Sequence, residues 1–314
     1  MFGKNKETGG EVVLNPMETP VQKHHTQPAA GWQDGFLEPD SQYRIAVSNS
    51  LFLAGKPVSE NQTQCTWRLA YDAARHEVGI QTSDQQNIKL DEQMKPLIGM
   101  VNTINESTHT LQLRLQPDKS VKEVMNQPQV LDRWAAIKFD RLNGYALEHE
   151  HFRQIIAAYD LEFSQLGQSV RRNILYQLFF YPCGGVQLPA SRPVPLRTRC
   201  ETISQLFTGQ LLTYDLYYTS RATDTEIIVD CFSVIEAGRY SQSWQKKYED
   251  IYRPFIDRPF RFDFTITAQY TYAKETGVLH RVRAYVKEQV CDDLFYIADY
   301  TFSKIAADAL NPQL

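Results

Sequence analysis

Between Arg261 and Tyr272 the chain alternates without error: Phe262, Phe264, Ile266, Ala268, Tyr270 and Tyr272 take one parity, and Arg261, Asp263, Thr265, Thr267, Gln269 and Thr271 the other. Successive side chains of a strand point to opposite faces, so this period of two specifies a β-strand with one dry face and one wet face. Such a strand needs hydrogen-bonding neighbours and a layer packed on its dry side. The neighbours follow at once. Lys274-Glu275-Thr276-Gly277 supplies turn residues, Val278 to Lys287 returns, and Leu294 to Phe302 makes a further strand. The carboxyl-terminal third therefore predicts an antiparallel meander. The 17 Tyr and 16 Phe of the chain suit it, because wide flat side chains pack well on a pleated surface.

Strand-like segments also stand near the amino terminus. Tyr43–Val47, Gln64–Tyr71 and Glu77–Gln81 are short, apolar or β-branched, and separated by Gly, Pro, Asn and Asp. Between these and the carboxyl-terminal strands the apolar period changes to that of a helix. Met94, Leu97, Ile98, Val101 and Ile104 share one face of a helix over 91–104, with Asp91 and Glu92 at its positive end. Leu111, Leu113 and Leu115, the Pro117-Asp118 turn and Val121 to Val124 predict a hairpin within the helical stretch. Asn126 is a candidate N-cap for a helix carrying Pro128 in its first turn and Val130, Leu131, Trp134 and Ile137 on its apolar face. Phe152, Ile155, Ile156, Tyr159, Phe163 and Leu166 mark another helix, and Val170, Ile174, Leu175, Leu178 and Tyr181 one more.

Strands, then helices, then strands: segregated runs argue for an α+β fold rather than alternating βαβ units. The expected architecture is a curved antiparallel sheet packed against a central group of helices. The expected organisation is an arm over 1–41 and one α+β domain over 42–314, with strands over 43–82. Its middle, 91–181, is mostly helical with the hairpin near 109–124, a proline-rich connection spans 182–195, and strands resume over 203–304. The arm is rich in Gly, Pro, Gln, Lys and His and has no apolar period, so it is either disordered or docked through Trp32, Phe36 and Leu37. Whether the two groups of strands form one sheet or two is left open by the pattern.

The segment from Leu111 to Asn126, followed by Val130 to Lys138 around Trp134, resembles LolA/LolB-like half-barrel proteins and uncharacterised bacteroidotal β-sheet proteins. Tyr272 to Leu279 is similar to a hairpin of the same half-barrels. The resemblance implies a half-barrel whose concavity holds a lipid, a peptide or the protein's own helices.

Several function classes recede on composition. A formal net charge of −4 provides no overall basic field for nucleic acid. Cys65, Cys183, Cys200, Cys231 and Cys291 include no C-x-x-C pair, so the expectation is free thiols in a reducing compartment. After Met1-Phe2-Gly3-Lys4 comes no apolar run, which predicts no export signal, no membrane span and a cytoplasmic protein.

No phosphate-binding loop, nucleophile elbow or H-E-x-x-H is present. Glu148-His149-Glu150-His151 is dense in potential ligands, but neighbours on a helix point about 100° apart and cannot converge on one ion. No catalytic residue, metal or cofactor is assigned. Tyr252 to Phe262 interleaves arginine with aromatic residues, so Arg253, Phe255, Arg258 and Phe260, with Trp32 and Phe36 of the arm, are the candidate surface for a protein partner. Trp134, Phe264, Ile266 and Tyr270 are the candidate lining of an apolar cavity. The function these features favour is a non-enzymatic, cytoplasmic protein-binding protein: an adaptor, a structural component or an immunity-type inhibitor, of the kind found in bacterial secretion or toxin systems. The alternatives are a carrier of an apolar small molecule or lipid, and a hydrolase or transferase without a recognisable motif.

Overall fold

The computed structural model describes residues 37–89, 95–144, 150–181, 190–236, 240 and 242–306. Eleven strands form one open antiparallel sheet. In chain order they are β1 (Asp40–Leu53), β2 (Lys56–Asp72), β3 (Glu77–Lys89), β4 (Thr110–Leu115), β5 (Val121–Val124), β6 (Ala190–Ile203), β7 (Leu211–Ala222), β8 (Glu226–Val234), β9 (Asp263–Ala273), β10 (Leu279–Cys291) and β11 (Leu294–Lys304). Across the sheet the order is β5-β4-β3-β2-β1-β11-β10-β9-β8-β7-β6. Two meanders thus meet at a single seam, where β1 pairs with β11 from Tyr43↔Lys304 to Leu53↔Leu294. The strands at both ends of the chain belong to one sheet. Being curved but not closed, it leaves β5 and β6 as its edges.

Six α-helices lie among the described residues: α1 (Lys95–Asn105), α2 (Gln127–Ile137), α3 (Glu150–Ser164), α4 (Leu166–Arg172), α5 (Ile174–Phe180) and α6 (Gln242–Ile251). They cover one face of the sheet. Register shows which. Tyr43, Ile45 and Val47 on β1 stand opposite Trp67, Cys65 and Thr63 on β2, and Ile45 stands opposite Phe302 on β11. That row continues through Val282 of β10, Tyr270 of β9 and Val229 of β8. The strict alternation of β9 sets its dry side: Phe264, Ile266, Ala268, Tyr270 and Tyr272 are buried. At the centre α5 sets Phe179 against Tyr43, Trp67 and Phe302, with ring centroids 5.1 to 5.5 Å apart. Phe179 is fully buried, and burying such a ring contributes on the order of 2–3 kcal/mol. A second cover, the loop around Phe207 and α6, sets Trp244 between Phe207 at 5.0 Å and Phe262 at 4.8 Å, near the far ends of β9 and β10.

Several local expectations change. Asn126 does not cap α2 with its side chain. Its amide bridges the strand ladder instead, accepting from Gln112 N at 2.8 Å and donating to Thr110 O at 3.0 Å. The helical face through Val170 and Tyr181 belongs to two helices, broken where Asn173 turns extended (φ −76, ψ 120) and accepts from Leu175 N to start α5. Of the proline-rich connection, residues 182–189 lie outside the described set, and the rest is strand: β6 begins at Ala190 and contains Pro193 and Pro195. Proline lacks the N–H that a central strand must donate, so an edge is where it is tolerated. The polar helix α6 carries no broad apolar stripe and is held by Trp244 and Tyr248, both buried. Of the arm, residues 1–36 lie outside the described set, Leu37 is buried, and β1 begins at Asp40. No helix among the described residues is long and apolar enough to cross a membrane.

Candidate functional site

A cavity of about 240 Å³ separates the covered face of β1–β3 from α3, α4 and α5. The register of β2 builds its floor. Trp67, Leu69 and Tyr71 are buried, whereas Cys65 and Thr63, the preceding residues of the same parity, are smaller and only half-buried. Val47 of β1 lies beside them. The roof is positioned by polar clamps on α3. Trp134 Nε1 and Lys138 Nζ both donate to Asp160 Oδ1 at 2.7 Å, and Gln127 Nε2 donates to Ser164 O at 3.0 Å. Tyr176 of α5 stacks on Trp67 with centroids 5.2 Å apart. His109 enters the wall from the turn between α1 and β4, its carbonyl accepting from Thr82 N at 2.7 Å.

Burial governs the ionisable groups around this space. Burial pushes the Cys65 thiol up to about 11, so it is protonated and unreactive at neutral pH. Burial, then the neighbouring Glu162, lifts the Tyr159 hydroxyl to about 12. The Tyr176 hydroxyl is raised by burial first, then by Cys65 and Glu162. Glu162, an exposed residue that also lines the cavity, is itself raised by desolvation. Among the described wall residues one buried side-chain atom lacks a partner: His109 Nε2 makes no hydrogen bond.

The four side chains expected to line an apolar cavity do not share one. Phe264, Ile266 and Tyr270 are buried under α5 and the Phe207 loop, and the space beside Ile266 and Tyr270 is about 10 Å³, room for one water at most. Trp134 sits elsewhere, against Phe163 at 5.2 Å and Tyr159 at 6.4 Å. The reason is that Leu178 and Phe179 already fill the middle of the concavity, with Tyr270 donating its hydroxyl to Leu178 O. Beside this filled middle, free volume remains over β1–β3.

The candidate partner surface is also partly spent. Arg253 pairs with Asp257 at 2.7 Å and Arg258 with Asp293 at 3.0 Å. Phe260 packs against Tyr248 at 5.7 Å. Phe255 alone of these four projects, at 65% exposure. Trp32 and Phe36 lie outside the described residues, as do Cys183, Glu148 and His149. Glu150 pairs with Arg153 on α3. Among the described residues no group of three or more His, Cys, Asp or Glu is placed to hold a metal ion.

No family model matches the sequence. No curated protein matches it either. Seven solved chains do. One of them, from a structure titled "lipid-protein interactions in lipovitellin", is 8% identical with a TM-score of 0.49 over 86% of this chain. This chain spans 25% of that one. At that score and identity the likeness assigns neither a family nor a function.

Proposed function

We propose that the protein is a non-catalytic binding protein of the cytoplasm that holds a small amphipathic molecule in the cavity over β1–β3. The observation that carries this reading is the buried, unpartnered His109 Nε2 in the wall of a space of about 240 Å³. Leaving a buried imidazole nitrogen without a partner costs about 1–3 kcal/mol, and a ligand hydroxyl or carbonyl would remove that cost. Val47, Trp67 and Leu166 offer apolar contact beside it. The volume exceeds that of an engineered apolar cavity of roughly 150 Å³ that accepts benzene, which points to a ligand of one or two rings or a short chain. A reducing compartment is supported by Cys65, Cys200, Cys231 and Cys291, all free thiols.

The test is a titration with N-phenylnaphthylamine, a neutral dye that brightens in apolar surroundings, alongside mass spectrometry of solvent extracts of the freshly purified protein. Saturable one-site binding is expected, and Val47→Trp, which fills the floor, should abolish it without moving the unfolding midpoint. Equal dye binding by Val47→Trp, or none by the natural protein, would refute the reading. A second reading, an adaptor or inhibitor docking on another protein, is favoured by Phe255, whose ring stands clear of the core at 65% exposure. It requires that a partner recovered with the intact chain be lost with Phe255→Ser.

A further inference from the structure

A larger cleft of about 650 Å³ lies on the other side of α4, between the β4–β5 turn and the edge strand β6. Four arginines line it, Arg171, Arg172, Arg197 and Arg199, against two carboxylates, Asp118 and Glu201, which leaves an excess of two positive charges in a chain of formal net charge −4. The arginines divide by role. Arg197 is a strut: it pairs with Asp118, donates to Tyr181 O at 3.2 Å, and lies over the Tyr181 ring at 4.5 Å. Arg172 pairs with Glu201 at 3.0 Å. Both carboxylates are thereby taken.

Among the described residues the guanidinium groups of Arg171 and Arg199 pair with no carboxylate. Arg171 only leans on backbone oxygens, Gly167 O at 3.1 Å and Lys122 O at 3.5 Å, which leaves guanidinium hydrogens unused. Arg199 holds a left-handed backbone conformation (φ 55) with its own N–H donated to Asp215, so its place in the strand is fixed while its side chain is exposed. Two unpaired planar guanidinia across a cleft of this size suit a ligand presenting more than one tetrahedral anion, because the guanidinium fork matches phosphate oxygens in pairs.

We propose that this cleft is an anion site for a small molecule carrying two or more phosphate groups, held by Arg171 and Arg199 on a frame built by the Arg172–Glu201 and Arg197–Asp118 pairs. The inference is independent of the cavity over β1–β3. The phosphates could belong to a soluble ester or to a lipid headgroup, and the assay separates the two.

The full-length protein is titrated calorimetrically with inorganic pyrophosphate and with inositol hexakisphosphate, and is sedimented with phosphatidylcholine vesicles with and without a phosphatidylinositol bisphosphate. Binding in either arm should weaken as salt rises and fall roughly tenfold for each of Arg171→Gln and Arg199→Gln, the loss expected for one charge-assisted contact. Arg44→Gln, on the opposite face of the sheet, should leave it unchanged. Binding of the soluble anions assigns the site to free phosphate esters, and binding confined to the phosphoinositide vesicles assigns it to a headgroup. Absence of binding in both arms, or an equal loss with Arg44→Gln, overturns the proposal. Because both side chains are exposed, matching unfolding midpoints for the variants exclude misfolding as the cause.

Discussion

Glu288 makes the stability of this protein depend on pH in a direction opposite to that of most paired carboxylates. It stands on the covered face of β10 at 1% exposure, and among the described residues it makes no ion pair. Its oxygens accept from Ser204 Oγ at 2.7 Å, Gln205 N at 2.8 Å and Leu206 N at 3.2 Å, tying the Phe207 loop to the sheet. Desolvation outweighs those bonds and lifts its pKa from the ordinary 4.5 to about 7. A carboxyl raised on folding binds its proton more tightly in the native state. Its contribution is therefore complete below about pH 4.5 and is lost as pH rises through about 7. At 1.36 kcal/mol per unit, the total loss comes to about 3 kcal/mol, of which about 2–3 falls between pH 5 and 8. Glu288→Gln cannot titrate. Urea unfolding of both proteins at several pH values isolates the effect, since every other ionisable group cancels in the difference. The natural protein should lose about 2–3 kcal/mol relative to Glu288→Gln over that range. A difference that stays flat with pH, or rises toward alkaline pH, would show that the carboxylate is not desolvated as described.

Two further outcomes follow from the same packing. Phe179→Ala removes the ring that joins Tyr43, Trp67 and Phe302, and should lower stability by about 3–5 kcal/mol in a denaturant titration; a loss under about 1 kcal/mol would mean the sheet and α5 are not closely packed. The Cys65 thiol, raised to about 11, should resist thiol-specific labelling of the folded protein at pH 8 and react promptly in urea, and fast labelling of the native state at that position would contradict its burial.

How far the sequence carried these features depended on the reach of the forces that set them. β9 was legible because every second side chain from Phe264 to Tyr272 is buried, so its period is written residue by residue. The outer half of β1 was not. Ser48, Asn49 and Ser50 carry no apolar alternation and are strand only because β2 and β11 hydrogen-bond them from both sides. Helix α6 escaped for a similar reason: its two anchors, Trp244 and Tyr248, find their partners in the distant Phe207 loop and in Phe260 and Phe262. The break at Asn173 was written in a residue suited to capping, but a continuous apolar spacing on both sides concealed it. The candidate sites depend on distant segments meeting. A trace of the cavity exists in β2, where Thr63 and Cys65 occupy the parity of Trp67, Leu69 and Tyr71 with smaller side chains. That becomes a space only once α3, α4 and α5 have been laid over it. The cleft joins Arg197 to Asp118 across 79 positions, a pairing no local pattern announces.

The seam between β1 and β11 has a consequence for assembly of the molecule. On a ribosome, β1 emerges first of the eleven strands and its second neighbour is the eleventh, with Tyr43 waiting for Lys304. Until then each meander presents an edge whose amides and carbonyls are unsatisfied and open to strands of other nascent chains. Closure by so remote a contact is slow, because the entropy of a long loop must be overcome before the contact is rewarded. A chain cut short before Leu294 would keep most of its secondary structure and lack the strand that locks its two halves together. Aggregation, more than unfolding, is the fate expected of such fragments.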